Sequence, residues 1–393
     1  MRTMILASIL SAVVHATASA QTANLPCPPT APMVPYCPPG STPGTIANGL
    51  PNLPVPDGAP GQVPELSPNV FAQGNESGGT SPRMFNDSFN GDFGGISCTC
   101  LFQTGGLGNT GLGLGGNAAN STVLRLAAGS RYNGILNTDN DSPRPTTRAY
   151  FGYNYYQGIN STYNGDLGGS DLHRETAAFE YAFMDGSASV GMRLPFIQTT
   201  NAPLGTNQNV VGDLSILLKY AFYNDRVSGD IASTGLIVTT PTAGSGNLTL
   251  SDGSPLILID GSTLPNSVIF QPWVGGVKMF GSGYLQEITG MIIPANTREP
   301  VIFSNSLGAG YFLFQNPKDR LINAVVPNVE AHVRIPLNHR DPNEAIFLQD
   351  QVNISTGVHF RMPRATISPA INVPVVGPRP WNLEAVVWLN CYF

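Results

Sequence analysis

The residues of this chain that could do chemistry are few and scattered. Four histidines follow residue 20, at positions 173, 332, 339 and 359, and they stand apart from one another. Neither a G-x-S-x-G nucleophile elbow nor an H-E-x-x-H zinc pair occurs. Asp171-Leu-His173 has the residue types of a catalytic dyad, but it reads as a solvated loop histidine beside a carboxylate. Cys98-x-Cys100 is spaced too tightly for a structural zinc pair, and no second pair or nearby histidine supports it. Gly106-x-Gly108-x-x-Gly111 and Gly111-x-Gly113-x-x-Gly116 match the dinucleotide fingerprint as text. No helix pattern follows them, so they read as Gly-rich loop or strand. No catalytic residue, cofactor or metal ligand is expected, and the chain reads as a non-enzyme.

The informative charges stand singly on alternating runs. Glu180, Arg193, Lys219, Glu330, His332 and Arg334 each occupy the polar row of a segment whose other row is apolar. Leu214, Ile216, Leu218, Tyr220 and Phe222, for example, interleave with Asp213, Ser215, Leu217, Lys219 and Ala221. If such segments closed into a barrel, these six side chains would face a lumen and meet small polar solutes there. Arg174 and Glu175 read as facing lumen or solvent.

Period-two segments must position these charges, and residues 173–196 show how. Asp185-Gly186 between two alternating runs is a strong hairpin signal, because both turn positions require φ > 0. With Met184 opposite Ser187, Phe183 faces Ala188, Tyr181 faces Val190, Phe179 faces Met192 and Ala177 faces Leu194. The other face then sets Ala182, Glu180 and Ala178 against Ser189, Gly191 and Arg193. A slip of one residue would destroy this agreement.

Strand patterns continue at residues 121–128, 147–158, 174–184, 187–197, 213–222, 231–241, 268–280, 284–294, 301–314, 324–337, 351–362, 365–376 and 383–393. Most are longer than the usual strand of about five or six residues, and near the roughly 9–11 that cross a bilayer at a tilt. The connections at 185–186, 281–283 and 316–320 are short, whereas those at 198–212, 242–266 and 339–350 are long. Outer-membrane barrels alternate short and long connections in this way. The apolar run 255–259 inside the longest connection could fold over or into a lumen. Tyr150, Phe151, Tyr153, Tyr155 and Tyr156 form one aromatic cluster, of the kind that girdles such barrels at the interfaces.

Composition points the same way. Charged residues make up 11% of the chain, against roughly 25% in soluble domains, and the formal net charge of −6 gives no reason to expect nucleic acid. Residues 1–20 read as a secretory signal peptide: Arg2, a short apolar run, then Ala18-Ser19-Ala20. Residues 21–90 read as a Pro/Gly-rich extended leader, since fourteen of the 34 prolines lie between positions 21 and 70. In an oxidising compartment, Cys27 and Cys37 could form a small disulfide loop. Residues 91–393 read as the barrel. The fold class expected is an all-β, antiparallel up-and-down transmembrane barrel of about 12 strands (10–14).

The final segment sets Leu383, Ala385, Val387, Leu389, Cys391 and Phe393 on one apolar row. Leu389, Cys391 and Phe393 resemble the terminal signal by which outer-membrane barrels engage the barrel-assembly machinery. Trp388 and Tyr392 fall on the other face, which suggests an occupied lumen or a rim aromatic.

Residues 148–156 (Arg-Ala-Tyr-Phe-Gly-Tyr-Asn-Tyr-Tyr), the hairpin at 178–196, residues 212–221 and the terminal Leu389-Asn-Cys-Tyr-Phe393 together resemble β-barrel porin family seven, exported proteins of planctomycete-type bacteria. The resemblance spans roughly residues 86–393 and implies a barrel in the cell outer membrane, with no site residues to transfer. The function expected is a porin-like channel for passive diffusion of small polar solutes, with outer-membrane lipids around it. A barrel plugged by residues 242–266, with a structural or adhesive role, is one alternative. A secreted soluble carbohydrate-binding β protein is another.

Overall fold

Side chains that alternate between apolar and polar give a strand two unlike faces, and twelve such strands close here into one antiparallel ring. The computed structural model describes the backbone of residues 99–103 and 123–127, and residues 140–393 apart from 165–167, 203–208, 244–257, 259, 261, 263, 264, 266, 317–320 and 377–378. The expected signal peptide and leader, Cys27, Cys37, Cys98 and the Gly-rich fingerprints lie outside these residues.

The ring strands are β1 (Arg148–Ile159), β2 (Ser170–Phe183), β3 (Ala188–Thr200), β4 (Leu214–Asn224), β5 (Ile231–Thr240) and β6 (Ile269–Phe280). They continue with β7 (Gly283–Pro294), β8 (Ile302–Tyr311), β9 (Ala324–Pro336), β10 (Gln351–Arg361), β11 (Ala365–Val376) and β12 (Leu383–Tyr392). Each pairs with its neighbours in sequence, and β12 returns to pair with β1 from Leu383 opposite Gln157 to Tyr392 opposite Arg148. The strand pattern at 121–128 falls on Val123–Ala127, which does not join the ring. It pairs with Thr99–Gln103, and that strand pairs in turn with Ile346–Phe347.

The β2–β3 hairpin has the register that its side-chain pattern requires, with Phe183 opposite Ala188, Glu180 opposite Gly191 and Ala178 opposite Arg193. The left-handed stretch of its turn includes Met184 (φ 53°) as well as Asp185 (54°) and Gly186 (75°). The Gly186 and Ser187 amides donate to the Phe183 and Met184 carbonyls. Phe179, Tyr181, Phe183, Val190 and Met192 are exposed, whereas Glu180, Ser189 and Arg193 are buried. The same division runs round the ring, with Phe151, Leu218, Phe270, Val274, Leu285, Val329, Ile354, Ile367 and Val387 all on the outside. An apolar exterior of this extent is foreign to soluble monomers and is what a hydrocarbon surrounding requires.

Period two also corrects the expected aromatic cluster on β1. Phe151 and Tyr153 are exposed on the outer face, but Tyr150 and Tyr156 are buried inside. All connections at the end where β1 starts are short to moderate: 184–187, 225–230, 281–282, 312–323 and 362–364. The longest ones, 201–213, 241–268 and 337–350, lie at the opposite end.

At the closing seam, Trp388 of β12 lies inside the ring across Gly152 of β1, its Cα partner. A Cβ at Gly152 would come 1.9 Å from Trp388 Cζ3, so only glycine admits the indole there. We predict that Gly152→Val destabilises the barrel by about 1–3 kcal/mol, the usual cost of overpacking, in urea unfolding from lipid vesicles. Gly283→Ala, whose Cβ would meet nothing nearer than 3.5 Å, serves as the near-neutral control.

Candidate functional site

The chain entering β1 does not lie across the mouth of the ring but turns into it. Asn140 takes a left-handed conformation (φ 51°), and Asn140, Asp141 and Ser142 are all buried. Four adjacent strands bring the lumenal charges to this segment. Arg148 on β1 is the Cα partner of Glu180 on β2, and Ser189 on β3 is the partner of Lys219 on β4, with Arg193 further along β3.

Two carboxylates hold the cluster together. Asp141 is ion-paired with Lys219, and its carboxylate lies 2.9 Å from Arg193 Nη2 and 3.9 Å from Arg148 Nη2. Glu180 accepts from Arg148 Nε at 3.1 Å and from Ser189 Oγ at 2.8 Å, and lies 3.0 Å from Lys219 Nζ. The bonds extend to the segment's backbone. Lys219 Nζ donates to the Ser142 carbonyl (3.1 Å), Arg148 Nη2 to the Asn140 carbonyl (2.9 Å), and the Thr146 amide donates to Glu180 (3.3 Å). From β12, Asn390 exchanges hydrogen bonds with the Asn140 side chain at 2.9 and 3.2 Å and accepts from Arg148 Nη1 at 2.9 Å. Arg193 donates to the Tyr150 hydroxyl, and the Arg148 guanidinium lies 4.5 Å over that ring.

Three cations thus face two carboxylates, and one carboxylate comes from outside the ring. Burial of Asp141 works against its charge, but the attraction of Lys219, Arg193 and Arg148 outweighs it and holds the carboxyl below its ordinary value.

The other expected lumenal residues lie elsewhere on the wall. Glu330, His332 and Arg334 are buried along β9. His332 lies 3.4 Å from Glu330, and Ser355 donates to Glu330 at 2.9 Å. Asn328 bonds both Glu330 (2.7 Å) and His359 Nε2 (3.3 Å). A further buried set links Arg174 to Asn154 (3.1 Å), and both Asn154 (2.7 Å) and Asn372 (2.8 Å) to Glu384. The structure therefore gathers Glu180, Arg193 and Lys219 into one cluster and Glu330 and His332 into another, with Arg334 further along β9.

Asp141, Asn140, Arg148 and Asn390 were not singled out in the sequence. Their one signal there is imbalance: the first four strands carry four inward cations, Arg148, Arg174, Arg193 and Lys219, against a single inward carboxylate, Glu180.

His173 corrects the loop reading, because it sits on the outer face of β2, where Nδ1 lies 2.8 Å from the Tyr153 hydroxyl. His339 is the loop histidine, close to the Thr297 carbonyl at 2.8 Å. Arg174 is buried inside and Glu175 exposed outside. Leu389 and Phe393 are exposed, and Cys391 is half-buried as a free thiol. At the end with the long connections, Tyr156, Leu172, Ile197 and Ile302 pack with Leu348 and Trp381 from the connections in one buried apolar cluster. Among the described residues, no three His, Cys, Asp or Glu side chains come together as metal ligands.

No protein-family model matches the chain, and no curated protein does either. Among solved structures the chain is similar to an outer membrane channel from Pseudomonas putida F1, at 11% identity over 63% of this chain and 96% of that chain, with a TM-score of 0.45. It is similar also to the KdgM porin, at 6% identity over 62% of this chain and 99% of that chain, TM-score 0.37. The β domain of the Bordetella autotransporter BrkA matches at 10% identity over 63% of this chain and 100% of that chain, TM-score 0.41. None of these likenesses carries a residue role to this chain.

A carboxyl held below its ordinary value stabilises the fold fully above the unfolded-state value, and that stabilisation is lost as pH falls through the lower folded-state value. For Asp141 the loss therefore occurs below about pH 4. Asp141→Asn should lower stability at neutral pH by about 3–5 kcal/mol, because it leaves buried cations short of a partner. It should also flatten the acid limb of the stability profile below that pH. Urea unfolding between pH 2 and 7 checks both effects.

Proposed function

We propose that this protein is an exported outer-membrane channel for small polar solutes, closed in the conformation described here by residues 140–147. The observation that carries the reading is the source of Asp141. Three buried cations of the ring are balanced in part by a carboxylate on a segment that belongs to no strand. That segment is held by hydrogen bonds and ion pairs rather than by an apolar core, so water can replace its contacts when it leaves. Withdrawal exposes Arg148, Arg193 and Lys219 against Glu180 alone, a constriction that favours small anions. Twelve strands enclose a lumen between the filled interior of an eight-stranded barrel and the wide channel of a porin.

The apolar exterior supports a lipid setting over a secreted soluble one. Kinship with β-barrel porin family seven, and recognition of Leu389, Cys391 and Phe393 by the barrel-assembly machinery, belong to the same proposal. A second reading is a barrel that never conducts and serves the envelope structurally. Its support is the buried apolar cluster at the opposite end, where Leu348 and Trp381 of the connections pack against inward side chains of the strands.

Planar-bilayer recording separates the two. The channel reading expects rare openings in the wild type and frequent, anion-preferring openings in Asp141→Asn, with the preference reduced by Arg193→Gln or Arg334→Gln. Silence from both the wild type and Asp141→Asn, in protein shown to be folded, supports the structural barrel instead.

A further inference from the structure

The chain ahead of β1 is held at both ends of the ring. Thr99–Gln103 pairs with Ile346–Phe347, which belongs to the β9–β10 connection at the long-connection end. Ile346 and Phe347 are buried there, and the next residue, Leu348, shares an apolar cluster with the inward Tyr156, Leu172 and Ile197. Ala127 is the Cα partner of Thr99, which is itself the partner of Phe347. Val123–Ala127 also lies beside the short helical turn Ser161–Asn164 of the β1–β2 connection, at the same end. The small sheet thus joins two connections that leave separate parts of the ring, at the mouth they share.

The chain that enters β1 is held at the other end, and its course inward can be followed backwards from there. Arg144 Nη2 donates to the Gly229 carbonyl of the short β4–β5 connection at 2.8 Å. The Pro143 carbonyl accepts from Ser233, the third residue of β5. Asp141 meets Arg193, the sixth residue of β3, at 2.9 Å. Each step back from β1 therefore lies deeper in the lumen, toward the opposite mouth.

We infer that the chain crosses the membrane inside its own barrel, from the long-connection mouth at Ala127 to the short-connection end at Asn140, and so presents the residues immediately ahead of Thr99 on the long-connection face. Asn140 follows Ala127 by thirteen positions, which reach about 45 Å when extended. The twelve residues of β1 rise about 30 Å along the axis at the usual tilt, so the length suffices. A path over the outside would lay the backbone in hydrocarbon, with no water to satisfy its amides and carbonyls. A path through the lumen avoids that cost and meets Asp141 already pointing along it. The inference rests on the outer-membrane reading above, in which long connections face out of the cell and short ones face the periplasm. Surface presentation of an N-terminal segment is then a second task of the barrel, beside the passage of solutes. It needs both anchors, the Asp141 ion pairs at one end and the strand pairing with Ile346–Phe347 at the other.

The test places one short epitope tag in the full chain and measures antibody binding to intact cells, then again after the outer membrane is permeabilised. The tag stands between Asn90 and Gly91, ahead of the small sheet. Two reference copies carry it in the long connection between Gly246 and Asn247, or in the short connection between Lys318 and Asp319. The tag after Asn90 should be bound on intact cells like the one after Gly246, whereas the one after Lys318 should be bound only after permeabilisation. A copy tagged between Gly78 and Gly79 gives the same reading if insertion at Asn90 hinders folding. Binding at Asn90 and Gly78 that requires permeabilisation, as at Lys318, overturns the inference and leaves the membrane reading intact. Retention in carbonate-washed outer membranes is scored separately. Protein missing from that fraction, or reference tags that behave alike, overturns the membrane reading and the inference with it.

Discussion

Inside hydrocarbon a backbone amide that lacks a partner has no water to turn to, and each such group costs several kcal/mol. The pairing of β12 with β1 meets that constraint, and every other feature of the molecule depends on it. Once Leu383 lies opposite Gln157 and Tyr392 opposite Arg148, the sheet has no edge and each strand has one face in and one face out. The outward rows must then suit lipid, and the inward rows must fill or line an enclosed space. Trp388 over Gly152 shows how closely that closure is packed.

Closure also fixes the cost of the interior. Arg148, Arg193 and Lys219 are removed from water by the wall itself, and such charges persist only when paired and hydrogen-bonded. Glu180, their neighbour on the wall, cannot balance all three. Asp141 comes from the chain ahead of β1, so the charge balance of the wall and the position of that segment are coupled. The same ion pairs that hold the segment in place would, once broken, leave a cationic constriction. In the channel proposed above, one group of contacts would set both stability and permeability.

Much of the wall was legible because its rules are local. The β2–β3 register follows from the Asp185-Gly186 turn and the alternation on either side, and the ring strands begin and end close to where that alternation does. Placement on the inner row of Glu180, Arg193 and Lys219 needs only period two. What could not be read has partners far away in sequence. Asn140 meets Asn390 across 250 positions, and no periodicity links them. The interior also holds Trp273, Leu217, Ile237 and Ile288 as a buried apolar patch, where the simple rule would place polar groups. An occupied lumen explains this, since side chains that touch one another need not touch water. Residues 242–266, the stretch expected to act as a plug, fall mostly outside the described residues; among the described residues, 140–147 turn into the ring.

The most direct test of a closed ring in lipid is the electrophoretic mobility of detergent-extracted outer-membrane protein, with and without boiling. A sheet without edges resists SDS until heat breaks the β1–β12 seam. A closed ring gives a fast, compact band that shifts on boiling to the mobility of an unfolded chain. Recovery in the soluble fraction with one mobility before and after boiling would contradict it.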